Sequence, residues 1–451
     1  MSDYRGFNVS FMASLVPNQQ SVAERQNYAI FAVFFFYAMF FPTFFSVLGS
    51  SGVFVVNGLL LVLMPLFLLL RRKTLLRLFS MCPREALYFP AAMTLFIVHL
   101  PIAMLIGLLY GNIDLTFRDF FEYYRPVFYV LTFVVAFIVF SHTSYLEKFE
   151  TTLVFCFIGI AAFGLNHFLG VVDPLTELYT KEKNILSRRV STPFINPYDF
   201  AFIMSFFIVY FLSKFLFAKK FGLLLLASML LFFLPQSKSI AVALLFSLGV
   251  LFPILMTLFC FRLRSMTVSM SLMKYFFLAL VAIFLFALSF SFLLENFAYL
   301  VNQFVILLDG GGVGRSANIR LEQFLFAMDK AALHPLILLF GNGPAKGEME
   351  FVESIYNYQF YRYGLVGAIL YFAFPLLVST IFLWKILKAI GRQHSRFPLF
   401  FSLFIWLLML PISSIGNNFT EQVRSSFFFY SILGIIAATH FYLRKRRCLP
   451  E

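Results

Sequence analysis

The sequence predicts an all-α polytopic membrane protein of about 12 transmembrane helices, folded as one integral domain over residues 1–451. Three observations carry this. Hydrophobic residues make up 61% of the chain and charged residues 12%, too little polar surface to cover a water-soluble globule of this size. The apolar residues fall in runs near the ~20 that a helix rising about 1.5 Å per residue needs to cross a ~30 Å hydrocarbon core. Lys and Arg gather in alternate connecting segments, as expected where basic turns stay on the cytoplasmic side.

In chain order the predicted spans are 28–48, 52–70, 88–110, 126–140, 151–172 and 200–218, then 222–234, 240–261, 275–294, 364–384, 397–413 and 425–443. The fourth and seventh are short. Most of the 67 phenylalanines lie within these runs, as packing and lipid-facing residues. With both termini inside, the basic segments Arg71-Arg72-Lys73, Lys219-Lys220, Arg262/Arg264, 385–396 and Arg444-Lys445-Arg446-Arg447 become cytoplasmic. That threading puts 22 Lys and Arg against 6 Asp and Glu inside, and 13 against 15 outside, together the net +14 of the chain. The positive charge is therefore a topology signal and asks for no nucleic-acid partner. The basic tail is placed to touch anionic membrane lipid.

The first 27 residues lack the pattern of a cleavable signal, so the N-terminus is expected to stay on and stay inside. Cys82, Cys156, Cys260 and Cys448 show no CxxC or Cys/His pairing, which supports neither a disulfide framework nor a zinc site.

The same threading leaves outside the hairpin after the first span, the loops 111–125, 173–199 and 416–424, the tight turn Gln236-Ser237-Lys238, and a long loop at 295–363. This long loop, between the ninth and tenth spans, is the one extended polar break in the chain and the place where chemistry is expected. Within it Leu321, Phe324, Leu325, Met328 and Ala332 recur at helical spacing with Glu322, Asp329 and Lys330 off that face, predicting an amphipathic helix at the membrane surface. Pro335 ends it, and Gly341-Asn342-Gly343-Pro344 reads as a flexible turn. Glu353, Asn357, Phe360 and Gly364 are spaced as one helix face running into the tenth span, which would set Glu353 about two turns above the lipid boundary.

Three basic groups stand out: Arg188-Arg189, Lys238, and Arg315 with Arg320. They lie on the side where cations are disfavoured, so an anion there would account for them. Arg binds phosphate through a planar fork of donors and Lys as a point charge, while the competing reading makes them interfacial anchors. Glu353 reads as a lone carboxylate suited to general-base work, whereas Glu348 and Glu350 diverge on a helix and make a poor metal pair, so no metal is assigned. His334 sits before Pro335 at a helix end. Tyr356 belongs to an aromatic edge, either an interfacial belt or a sugar-stacking surface, and Asn357 shares its turn.

In order along the chain come Arg189 with Pro193-Phe194-Ile195-Asn196-Pro197, then Ser237-Lys238-Ser239, then Arg320 with His334-Pro335-Leu336 and Gly341-Asn342-Gly343. Glu353-Ser354 and Tyr363-Gly364-Leu365-Val366-Gly367 close the series. This layout resembles the bacterial O-antigen polymerase/ligase superfamily over residues 188–367. The resemblance implies a GT-C-like glycosyltransferase fold in the inner membrane, with its active face periplasmic. It also implies undecaprenyl-diphosphate-linked oligosaccharides as donor and acceptor, and a chain-length regulator protein as a partner. No cofactor is implied, since the activated lipid stores the energy. Arg188, Arg189, Lys238 and Arg315 would bind diphosphate, Arg320 would stabilise the leaving group and Glu353 would act as base, with His334, Tyr356 and Asn357 supporting them. The ligase branch carries a His where this chain has Glu353, which favours a polymerase over a ligase. A lipid-linked oligosaccharide flippase ranks third, because the sequence shows no internal repeat and its charge lies in outer loops.

Overall fold

The structure is a computed structural model that describes residues 22–48, 52–81, 87–141, 145–187, 189–263, 274–276, 315–349, 352–390 and 395–448. Every regular element among them is helical, the class that the composition predicts. The main helices are α1 (Val22–Phe40), α2 (Gly52–Leu70), α3 (Arg72–Met81), α4 (Tyr88–Tyr110), α5 (Phe117–Phe140), α6 (Tyr145–Leu169) and α7 (Pro197–Ala218). They continue with α8 (Gly222–Phe233), α9 (Lys238–Phe259), α10 (Arg315–Ala332), α11 (Pro335–Phe340), α12 (Ile355–Ile390), α13 (Phe397–Ser413) and α14 (Val423–Cys448).

Among the described residues, seven helices are long and apolar enough to cross a membrane: α4, α5, α6, α7, α9, α12 and α14. An eighth is reached if α2 and α3, bent by 73°, count as one span. The predicted spans at 222–234 and 397–413 form the short apolar helices α8 and α13. The predicted span at 275–294 lies outside the described residues except at Tyr275 and Phe276. The fourth span is longer than its apolar run, because α5 continues back through Arg125, Glu122, Asp119 and Arg118 to Phe117. Glu122 is 1% exposed there, its charge answered inside the protein rather than by water.

The core is built around α7 and α14, each 89% buried over its most apolar stretch, against 39% for α6, α9 and α12. A helix enclosed on all sides needs close neighbours. Gly434 supplies one approach: a Cβ there would lie 2.5 Å from the Phe133 carbonyl oxygen of α5. Phe206, Trp406 and Phe428 join α7, α13 and α14 with ring centroids 5.2–5.8 Å apart, and Trp406 Nε1 donates to Ser205 Oγ at 3.3 Å. On α4, Leu95, Val98, Ile102, Leu105 and Leu109 form an exposed apolar stripe, the surface that hydrocarbon rather than water would cover.

The segments threaded to the outside meet at one end of this bundle. Thr43 Oγ1 donates to the Tyr179 carbonyl, and the Arg424 guanidinium donates to the carbonyls of Met39, Phe41 and Pro193. Arg189 Nε reaches the Pro235 carbonyl at 3.4 Å, and Ile355 N reaches the Ser414 carbonyl at 3.2 Å. Elsewhere Lys214 pairs with Glu150 at 2.6 Å and Arg396 with Glu147 at 3.9 Å, joining segments threaded to the inside.

Candidate active site at the loop end

The site is built from α10, the extended turn before α12, and the start of α9. Arg320 and Gln323 stand three residues apart and share a face of α10, and both reach the turn at Glu353. Arg320 Nη2 lies 3.1 Å from Glu353 Oε2, and the Glu353 backbone N–H donates to Gln323 Oε1 at 3.3 Å. Asn357 Nδ2 closes the arrangement by donating to the Arg320 carbonyl at 2.8 Å. The buried Ala327 and Ala331 lie further along α10, and their small side chains permit a close seat. The side chains of Arg320 and Glu353 keep 21% and 37% of their surface exposed, so the pair is held yet accessible.

Two further cations approach this pair. Arg189 and Arg320, both positive, act electrostatically on Lys238. Arg189 also lies over the ring of Tyr198, 5.5 Å from its centroid. The loop after α13 lets the two sides close. A Cβ on Gly416 would lie 2.6 Å from Ser239 Cβ and 3.3 Å from Arg320 Cζ, so only a glycine leaves room for both. Three buried atoms here, Ser237 Oγ, Ser239 Oγ and Arg320 Nε, have no hydrogen-bond partner among the described residues.

The remaining predicted residues fall elsewhere. Arg188 lies outside the described residues, and Arg315 opens α10 five residues before Arg320. His334 stands at the opposite end of α10, about 20 Å from Arg320 at the helical rise. There its Nδ1 accepts from the Leu336 N–H at 3.2 Å, and its ring stacks on Tyr110 at 4.0 Å, so it caps α11 and does not join the site. Tyr356 is held by its hydroxyl to the Pro411 carbonyl at 2.7 Å and packs edge-on against Phe372.

Two local expectations are overturned. Glu353 is not on the helix face that leads into the membrane, because α12 begins at Ile355 and Gly364 breaks it with φ 61°. The Gly341-Asn342-Gly343 segment is not a flexible turn. Asn342 is 1% exposed, its Nδ2 donates to the Tyr361 carbonyl at 3.0 Å, and Gly341 packs against the backbone of Arg362 and Tyr363. A Cβ on Gly364 would meet the Leu339 carbonyl at 2.5 Å, so the two glycines let the backbones of α11 and α12 pack directly together.

A second charge cluster, not identified as a unit from the sequence, lies close by. Glu122 pairs with Arg125 at 2.9 Å and with Lys346 at 2.5 Å, and accepts from the Tyr358 hydroxyl at 3.1 Å. Arg125 also pairs with Glu421 at 3.0 Å, and the fully buried Arg362 approaches Glu421 at 3.7 Å and donates to the Met349 carbonyl at 3.0 Å. Burial pushes the Lys346 ammonium below its ordinary value, with Glu122 pulling it back up. On the rim, Glu348 pairs with Lys330 at 2.8 Å. The signal available in the sequence was acidic and basic residues at the margins of apolar runs, which enter an interior only when paired.

Among the described residues, no group of three His, Cys, Asp or Glu side chains converges as metal ligands do. No protein-family model matches this chain, and no curated protein matches it either.

Proposed function

We propose that this chain is an O-antigen or surface-polysaccharide polymerase of the bacterial inner membrane. It transfers a glycan from one undecaprenyl-diphosphate carrier to a hydroxyl of the repeat unit on another. The observation that carries the reading is the Arg320–Glu353 pair at 3.1 Å with Lys238 and Arg189 beside it. A carboxylate for the nucleophile's proton and cations for a leaving diphosphate stand together at the end of an apolar bundle, where a lipid tail can stay in the bilayer.

In this reading the acceptor hydroxyl oxygen attacks C1 of the donor sugar and its proton passes to Glu353. The bond from C1 to the diphosphate oxygen breaks, and the electron pair leaves with undecaprenyl diphosphate. Arg320 holds Glu353 through Nη2, and its part-exposed guanidinium supplies positive charge and N–H donors for the diphosphate. The loop end faces the periplasm and both termini the cytoplasm, the orientation that the positive-inside count favours. A chain-length regulator acts on the same assembly.

The test is a ladder of surface polysaccharide from a deletion strain complemented with Glu353→Gln. Attached single repeat units without polymer are expected, a loss of at least about a hundredfold in chain extension. A normal ladder would sink the assignment of Glu353. Loss of every attached repeat while lipid-linked polymer accumulates would make the enzyme a ligase instead.

A further inference from the structure

The bent pair α2 and α3 lies at the end of the bundle opposite the candidate site. Thr132 Oγ1 of α5 reaches Met64 Sδ at 3.8 Å, so α2 ends level with the last turns of α5, whose first turns carry the Glu122 cluster. α2 has 19 residues, about 28 Å at the helical rise, and crosses a ~30 Å hydrocarbon core nearly unaided. At Arg71 the chain turns by 73° into α3, which therefore runs close to the membrane plane. With Arg72, Lys73 and Arg77 among its ten residues, α3 is unsuited to hydrocarbon depth. It is two-sided. Leu75, Leu78 and Phe79 pack onto the bundle core, with Leu78 8% exposed. Arg72, Lys73, Thr74, Arg77 and Ser80 are exposed, and so is Leu76, at 68%. Leu69 and Leu70, which end α2, are 67% and 76% exposed.

No acidic residue occurs from Arg71 to Met81, so the four cations of this stretch have no local counter-charge. The basic end of α14 flanks the same end of α5: Phe441 packs on Phe137 with ring centroids 6.0 Å apart, and the exposed Arg444 and Lys445 follow within a turn. The rule that gathers Lys and Arg on one side accounts for these cations but not for the fold around them, since a basic loop satisfies it as well as a helix does. A sharp bend, an apolar face against the core, exposed leucines at the hydrocarbon edge and exposed cations beside them share one cause. They fit an interface that is oily on one side and anionic on the other.

We propose that α3 is an interfacial helix that binds the headgroups of anionic phospholipids in the leaflet at the basic end of the bundle. Leu69, Leu70 and Leu76 enter the hydrocarbon edge, Arg72, Lys73 and Arg77 lie at the level of the phosphates, and Arg444 and Lys445 widen the same surface. Recognition is by net charge, at about fivefold in affinity per cation near such a surface. This surface stands apart from the Arg320–Glu353 site and does not depend on the reaction proposed there.

The full chain in detergent is titrated with phosphatidylglycerol and, in parallel, with phosphatidylcholine, and the melting temperature is followed. Phosphatidylglycerol is expected to raise it and phosphatidylcholine to leave it nearly unchanged; equal effects of the two would overturn the proposal. Lys73→Gln alters one exposed side chain, leaves three cations in the stretch to hold the orientation, and should weaken phosphatidylglycerol binding about fivefold. Arg72→Gln/Lys73→Gln/Arg77→Gln should weaken it roughly a hundredfold, whereas Arg72→Lys/Arg77→Lys, which keeps the charge, should retain it. Unchanged affinity in the single and triple variants alike would overturn α3 as the lipid surface and give that role to another basic segment. An equal loss in the variant that keeps the charge would overturn recognition by charge.

Discussion

Two charge clusters at the same end of the bundle are built in opposite ways. Around Glu122 and Glu421, three cations and two carboxylates interlock at 2.5–3.7 Å, and Glu122 and Arg362 are at most 1% exposed. Around Arg320, the pair with Glu353 is 21% and 37% exposed, and Lys238 feels two further cations. Desolvated charges persist only when each is answered, so the first cluster serves as a clasp joining α5, the turn at Lys346, α12 and the loop before α14. Like charges gathered in a partly open place are, on the proposed polymerase reading, where the anionic substrate would sit. The clasp holds the loops together, while the Arg320–Glu353 pair stays partly open.

A single substitution costs most in the clasp. Arg362→Met removes the most buried of the three cations and its bond to the Met349 carbonyl, leaving Arg125 and Lys346 to balance Glu122 and Glu421, and should cost about 3–5 kcal/mol, a large share of a typical stability. Thermal melting in detergent would register this as a collapse of folded protein, and an unchanged melting temperature would remove the clasp interpretation. Arg320→Lys should act the other way. It keeps the charge and leaves melting within about 1 kcal/mol of the unaltered chain, but it loses the planar fork, and chain extension should drop about 10- to 100-fold. Full-length polymer from that variant would return Arg320 to the role of an interfacial anchor.

The smallest effect sharpens the boundary between the two regions. Gly416→Ala places a Cβ 2.6 Å from Ser239 Cβ and 3.3 Å from Arg320 Cζ, an overpacking worth roughly 1–3 kcal/mol. Since it displaces the open cluster and leaves every partner of Glu122 in place, affinity for undecaprenyl diphosphate should fall by more than the stability change explains. Loss of stability with unaltered affinity would show that the loop after α13 supports the bundle rather than the site.

How much of this was legible in the sequence differs by element. The helical class and the bounds of α4 at Tyr88 and Tyr110 followed from composition and apolar run length, because hydrocarbon imposes both. Arg320, Lys238, Arg189 and Glu353 stood out as polar residues in the outer segments. What spacing could not give was their meeting, since Glu353 reaches Arg320 from a turn outside any periodic element. The length of α5 was misread for a related reason: its charged first turns look like a loop until their partners are known.

Composition and apolar run length determined that the chain carries several membrane-spanning helices, that described runs such as Tyr88–Tyr110 are helical, and which polar residues were available for chemistry. These follow from local properties, namely hydrophobic length, helical spacing and residue type. Only the tertiary structure decided which charges answer one another. Arg125 finds Tyr358 across 233 positions and Glu421 across 296, and nothing local in the chain encodes such pairings. It also decided that Gly341, Gly364 and Gly416 are packing requirements rather than hinges, because whether a glycine is needed depends on which backbone or side chain passes beside it.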